Sequence, residues 1–437
     1  MKRKIGIILT QNQQIRSWLN EENLKPLQNI YEITIYVPAE YSGETGLYSK
    51  NLNFYEIKKN SYIEKELLDL HLISHSNISS YKKKFASRFS TKFMEDGNFI
   101  INKLRKVYRE RELIFKFLSK YTFNNKQKMV EKFIAKNLIK FSTQDIYILV
   151  VNMTDLRTEI VTRTLENSGS SFIQVVENWD NVSSKFCPSA TSRALVVWGD
   201  QSKDHARLLH NISGTKIHSL GSSRIPNKIL VKKLQSINTN NQDKKLKIFY
   251  PGYGSEIETL DWVKQIYDAI FGGSLKSSAK IIFRPHPLAL LNFGRDYYSE
   301  LPKEIEIDWP TSGSGGLSDW PNLDKDIYKK MLESDLVIGS PSTLLLEALV
   351  FQKPVLLDLR GKQNDLVSPF SLFSRNTHLK EIFDDRRLLR FFHAHQLPSL
   401  VNEAVETQVD LKNLTEYLVH NDETNFTDRL GFLLDKL

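Results

Sequence analysis

Ser334-Asp335-Leu336-Val337-Ile338-Gly339-Ser340-Pro341-Ser342-Thr343-Leu344-Leu345-Leu346-Glu347 is the stretch on which the fold of this chain turns. Leu336 to Ile338 is a short apolar run without alternation, the pattern of a strand buried on both faces in a parallel sheet. Ser340, Ser342 and Thr343 follow where a leucine-rich helix begins. Hydroxyls and unpaired backbone N–H groups at a helix start form a ready site for phosphate. Open α/β sheets hold nucleotides in loops of this kind, at the carboxyl ends of parallel strands. The same order of apolar strand, short loop and helix recurs at Lys247 to Glu256 and at Lys280 to Pro287.

Working outward, the alternation extends over most of the chain. Lys4 to Thr10 reads as a strand, Arg16 to Leu27 as a helix and Ile30 to Val37 as a second strand, which together make a βαβ unit. Further strands are predicted at Asp145 to Asn152, Ser171 to Val176, Ala194 to Trp198 and Thr215 to Leu220, with helices at Thr158 to Ser168 and Asp204 to His210. Ser236 to Lys245, rich in Asn, Gln, Asp and Lys, has the composition of a linker. After it the alternation restarts at Leu246 to Tyr250, and Thr311 to Asp319 reads as a glycine-rich loop. The expected organisation is an α/β protein of two doubly wound Rossmann-like domains facing a cleft: 1–235, a linker over 236–245, and 246–437 with C-terminal helices. A length of 437 residues agrees, since chains beyond roughly 250–300 residues divide their core.

Composition narrows the class. With 41% hydrophobic and 25% charged residues, the chain has the balance of an ordinary soluble globular protein. No apolar run approaches the roughly 20 residues needed to span a bilayer. Met1-Lys2-Arg3-Lys4 resembles the start of a signal peptide, but the apolar stretch Ile5 to Thr10 ends at polar Gln11, so a cytosolic strand is expected. Cys187 is the only cysteine, which excludes an internal disulfide framework and a multi-cysteine zinc site.

The net charge of +9 is concentrated in one place: Tyr81 to Lys140 carries 17 Lys and Arg against 5 Asp and Glu, a net of +12. From Asn60 to Phe141 the pattern is helical, with Phe85, Phe89, Phe93, Leu104, Val107, Tyr108, Leu113, Phe117 and Leu118 forming apolar faces among the basic residues. Two readings stand. This segment is a basic helical surface for an anionic membrane at the inner face of the cell or a polyanionic acceptor, or a helical insertion whose lysines are simply solvated. No recognisable nucleic-acid-binding motif accompanies the charge.

Several constellations carry chemistry. The third of these stretches ends in Arg284-Pro285-His286-Pro287, where prolines hold the backbone extended, the arginine offers a fork for phosphate oxygens and His286 can donate to a leaving phosphate. Glu347 lies four residues after Thr343, on the same side of the helix one turn on. It is either a carboxylate for ribose hydroxyls or an exposed helix residue. Gly252 and Gly254, within Tyr250 to Glu256, would let backbone approach a ligand closely. In the first half, Glu177-Asn178-Trp179-Asp180-Asn181 stands at a strand end. There Asp180 can serve as general base or nucleophile, or can tie down its own loop; Asp155 is the alternative base.

The strand-Arg-Pro-His-Pro segment, the Ser-Pro-Ser-Thr-(x)3-Glu-Ala segment and Gln352-Lys353-Pro354-Val355-Leu356-Leu357 together resemble the donor half of GT-B-fold glycosyltransferases. More narrowly, they are similar to the bacterial group of CDP-glycerol glycerophosphotransferase-like and capsular-polysaccharide transferases. Trp179-Asp180-Asn181 followed by Val196-Val197-Trp198-Gly199-Asp200 resembles the same group, and the likeness covers roughly residues 145 to 360. It implies that His286, Ser342, Thr343 and Glu347 hold the nucleotide; the residue chemistry above adds Gly252, Gly254, Arg284 and Ser340 as candidates. It also implies a metal-independent transferase without cofactor; the Asp324 to Asp326 pair reads as a helix cap. The expected activity moves a sugar from a nucleotide-sugar donor to a hydroxyl of a bacterial surface glycan or lipid-linked glycan. A nucleotide-sugar epimerase and a non-catalytic nucleotide- or glycan-binding module are the alternatives.

Overall fold

In a computed structural model of the chain, the described residues are 2–19, 21–42, 52–74, 112–229, 231–232, 245–252, 260–272, 279–286, 289–290, 293–309, 320–361, 369–370, 373, 376–407 and 409–437. They form two compact units, Met1–Ser219 with Gly431–Leu437, and Leu220–Leu430.

The first unit is built on a seven-stranded sheet of β1 (Lys4–Ile8), β2 (Glu32–Pro38), β3 (Leu52–Tyr55), β4 (Ile146–Val151), β5 (Phe172–Val176), β6 (Ala194–Val197) and β7 (Ile217–Ser219), in the order β3-β2-β1-β4-β5-β6-β7. All its pairings are parallel, with Ile5 opposite Ile33 on one side and Ile146 on the other. Every residue of β4, β5 and β6 is buried, as a parallel sheet covered on both faces requires. Leu149, Val151, Val161, Leu165, Val176 and Val197 belong to the core on one face.

The second unit carries β8 (Leu246–Pro251), β9 (Ala279–Arg284), β10 (Ile305–Ile307), β11 (Leu336–Gly339), β12 (Val355–Asp358) and β13 (Leu389–Phe391), in the order β10-β9-β8-β11-β12-β13. In local terms this is 3-2-1-4-5-6, the doubly wound dinucleotide-fold order, again with parallel pairing throughout. Helix Leu260–Phe271 presents Val263, Ile266 and Ile270 to a core shared with Ile248, Ile281, Ile338 and Leu356.

Several sequence-based expectations need adjustment. The helix expected over Arg16 to Leu27 is two helices, Asn12–Trp18 and Glu21–Ile30, because Leu19 leaves helical geometry at φ −82°, ψ 52°. Strands β3, β10 and β13 were not expected; each is an edge strand of three or four residues, too short to show a pattern. The boundary between units falls at 219/220, ahead of the polar stretch, and the last seven residues join the first unit. Contacts, not polarity, set this. Lys228 N donates to Asp422 O within the second unit, while Tyr31 Oη donates to Gly431 O and to Asp435 within the first. Residues 236–244 of the expected linker, and 311–319, lie outside the described residues.

Of the basic segment, 75–111 lies outside the described residues, including Phe85, Phe89, Phe93, Leu104, Val107 and Tyr108. The remainder belongs to helix Glu112–Lys136, which packs Val130 and Ile134 against Ile63, Leu67 and Ile160. Lys126 bridges Glu66 (2.6 Å) and Asp69 (2.9 Å) of helix Ser61–Ser74, and Lys128, Lys132 and Lys136 are exposed. This part is a packed helix with a solvated basic face. Among the described residues no helix is long and apolar enough to cross a membrane.

Candidate functional site

In the second unit the strand order reverses at β8, so β9, β8 and β11 lie side by side and their carboxyl ends form the topological switch point. Four of the segments singled out in the sequence arrive there: Gly252 after β8, Arg284-Pro285-His286 at the end of β9, Ser340 to Thr343 after β11, and Glu347 one turn into helix Thr343–Val350. The strand ends meet closely. Gly252 N donates to Arg284 O at 2.7 Å. A Cβ at Gly339 would lie 3.3 Å from Pro251 Cγ, tighter than most real contacts, so a glycine there lets the β8 and β11 ends approach.

The helix start is formed as the sequence implied. Ser342 is its N-cap, extended at φ −144°, ψ 169°, and its side chain accepts from Leu345 N at 3.3 Å. Ser340 is buried and Thr343 partly exposed. His286 is half-buried, and that burial pushes its imidazole pKa below the ordinary value, so the ring is neutral near pH 7. Gly254 lies outside the described residues.

Two groups differ from their sequence reading. Arg284 is almost wholly buried and its Nη1 donates to Asp308 Oδ2 at 2.6 Å, which ties β9 to the loop after β10. Glu347 is not an exposed helix residue: its side chain is 1% exposed, and Arg224 Nη2 lies 3.4 Å from its Oε1. The helical period alone could not bury it; packing of helix Thr343–Val350, whose residues from Leu345 onward are all buried, does so. Asp324 and Asp326 lie inside helix Trp320–Glu333, past its first turn, so the capping expectation does not hold.

Sequence reasoning missed a buried ion pair at the end of β12. Asp358 is fully buried, Arg360 is 4% exposed, and Nη2 to Oδ2 is 2.7 Å. The Arg360 guanidinium also lies 4.4 Å over the Trp262 ring and donates to Trp262 O and Gln265 Oε1. The signal was an Asp-Leu-Arg sequence directly after an apolar strand.

The first unit has its own switch point, between β1 and β4. Gln11 bridges the two loops: Asn152 Nδ2 donates to its Oε1 at 2.9 Å, and its Nε2 donates to Asp155 Oδ2 at 3.0 Å. Asp155 is the N-cap of helix Leu156–Asn167, accepting from Thr158 N at 2.7 Å. Asn178 Nδ2 donates to Asn152 Oδ1, and buried Glu177 accepts from Ser17 Oγ at 2.6 Å. Asp180 is only 13% exposed, with Lys185 Nζ 3.5 Å from Oδ1 and Ser184 Oγ 3.3 Å from Oδ2. Both of these contacts are local, to the short helix Asn181–Ser184 and the residue after it. Among the described residues no group of three or more His, Cys, Asp or Glu side chains is placed to hold a metal ion.

Two successive doubly wound α/β units define the GT-B class of architecture. Solved structures agree: a putative UDP-N-acetylglucosamine 2-epimerase from Listeria monocytogenes is similar over 100% of this chain and 96% of that one, at TM-score 0.51 and 11% identity. A UDP-GlcNAc 2-epimerase from Methanocaldococcus jannaschii, solved with UDP-GlcNAc and UDP, gives TM-score 0.49 at 12% identity over 100% of both chains. The wall teichoic acid polymerase TagF gives TM-score 0.49 at 10% identity over 100% of this chain and 89% of that one. At 11% identity the likeness to the Listeria structure shows the fold alone. No protein-family model matches the chain, and a search of curated proteins finds no significant match.

Proposed function

We propose that the protein is a glycosyltransferase that moves a sugar from a nucleotide-activated donor to a hydroxyl of a bacterial surface glycan. The observation that carries this reading is the capped helix start Ser340 to Thr343, placed by the 3-2-1-4-5-6 strand order at the switch point of the second unit. Backbone N–H groups at that helix start hold the phosphate, and the helix dipole favours its charge. Neutral His286 donates to the phosphate oxygen that leaves. The acceptor oxygen bonds to the anomeric carbon while the nucleotide departs with the electron pair; Asp180 of the first unit is the candidate base for the hydroxyl proton.

A thermal-shift screen against UDP, CMP, CDP, GDP and their sugar conjugates tests the site, because a ligand of the native state raises Tm. The expected result is a shift with one nucleotide, lost in His286→Ala; no shift with any of them would sink the reading. The rival reading is a nucleotide-sugar epimerase, the activity for which the Listeria protein of similar fold is named. Conversion of a free nucleotide sugar to its epimer without acceptor would favour it over nucleotide release that depends on an acceptor.

A further inference from the structure

Arg224 closes a ring of contacts that ends on the helix of the candidate site. Its guanidinium Nη2 lies 3.4 Å from Glu347 Oε1, and its carbonyl accepts from Tyr328 Oη at 2.8 Å. Tyr328 in turn meets Phe351 edge-on, ring centroids 5.0 Å apart, and Phe351 N donates to Glu347 O. The turn that delivers Arg224 is held firmly. Gly221 takes φ +83°, and a Cβ there would lie 2.3 Å from His420 O; Arg429 Nε donates to Leu220 O at 2.9 Å.

Exposure separates the two partners. The Glu347 side chain is 1% exposed and that of Arg224 is 21% exposed, so of the two it is Arg224 that is open in part to solvent. Glu347 lies one helical turn from Thr343, about 6 Å along the axis, which is within reach of a phosphate seated on the helix start. Arg284, at the end of β9, is turned to Asp308. A buried carboxylate behind an arginine holds its fork in one orientation, which suits recognition of phosphate oxygens.

We propose that Arg224 is the cation that binds the nucleotide phosphate, and that Glu347 is the positioning residue that orients it. This rests on the second unit's switch point being the nucleotide site. It replaces the ribose role expected for Glu347.

The test is calorimetric titration of the full-length protein with uridine, UMP and UDP, and with cytidine, CMP and CDP. The readout is the phosphate increment, the Kd of the nucleoside divided by that of the diphosphate. A charge-assisted hydrogen bond is worth roughly tenfold or more in affinity. The increment should therefore drop by roughly tenfold or more in Arg224→Gln, recover in part in Arg224→Lys, and fall by a smaller factor in Glu347→Gln. The preference for ribo- over 2′-deoxyribonucleotide should not change in Glu347→Gln. An undiminished increment in Arg224→Gln, or loss of ribose preference in Glu347→Gln, overturns this assignment while leaving the site reading in place. If the unmodified protein binds no nucleotide, the site reading itself fails. Should Arg224→Gln not fold, the Arg224→Lys and Glu347→Gln increments decide the matter on the same criteria.

Discussion

Replacing Arg360 by methionine keeps the apolar stem of the side chain and removes its charge, which isolates the energetics of the buried pair at the end of β12. Asp358 would keep the backbone N–H of residue 360 (3.1 Å) and the Tyr250 hydroxyl (3.4 Å), but would lose the charged contacts at 3.0, 3.2 and 2.7 Å. Removing one partner of a buried pair costs about 3–5 kcal/mol, because a charge is left uncompensated in a poorly solvated place. Loss of the stacking on Trp262, 4.4 Å from the ring centroid, adds about 1 kcal/mol, and the two surviving hydrogen bonds offset about as much. The net expectation is about 4 kcal/mol. With a urea m-value of about 2 kcal/mol/M, the unfolding midpoint should fall by about 2 M. Tryptophan fluorescence is a suitable probe, since Trp262 stacks on the substituted residue. The double variant Asp358→Leu with Arg360→Met should come back to within about 2 kcal/mol of the unmodified protein, since an apolar pair of similar volume replaces a buried ion pair at little net cost. A double variant no more stable than Arg360→Met would refute the reasoning.

Three further predictions test the site and its frame. Ser342→Ala removes a cap whose hydrogen bond is long at 3.3 Å, so stability should fall by about 0.5–1 kcal/mol in chemical denaturation, and any nucleotide affinity should weaken with it. His286, through burial, and His218, through burial and then through Lys203 and Lys436, have pKa values below the ordinary 6.5 in the folded state. The unfolded chain therefore takes up more protons as pH falls below about 6.5, and stability should decline from pH 7 toward 5; Tm measured across that range should decline less steeply in His286→Gln. Gly221→Ala and Gly169→Ala both place a side chain at positive φ, +83° and +64°, but only the former drives a Cβ into a backbone oxygen. Thermal denaturation should show a loss of about 1 kcal/mol for Gly169→Ala and at least twice that for Gly221→Ala.

The central strands were legible because each is buried on both faces and reads as an apolar run: Ile146–Val151, Phe172–Val176 and Leu336–Gly339 all lie within a residue or so of expectation. Of the edge strands only Ile217–Ser219 was expected. Leu52–Tyr55, Ile305–Ile307 and Leu389–Phe391 borrow their conformation from one neighbour and carry no periodicity of their own. At the candidate site the helix start was legible from Ser340, Ser342 and Thr343, since capping is a local interaction. The partners of Arg284 and Glu347 were not, because Asp308 and Arg224 are chosen by packing, 24 and 123 residues away along the chain.

The amino-acid order by itself determined that this is an α/β protein with parallel sheets and that a hydroxyl-rich helix start follows a buried strand, because both rest on interactions among residues close in sequence. Only the tertiary structure decided the order of the strands, the boundary at 219/220 and the return of the last residues to the first unit. It alone buried Glu347 and left Arg224 partly exposed. Which side chain meets solvent depends on what packs above it, and that is a property of elements distant in the chain.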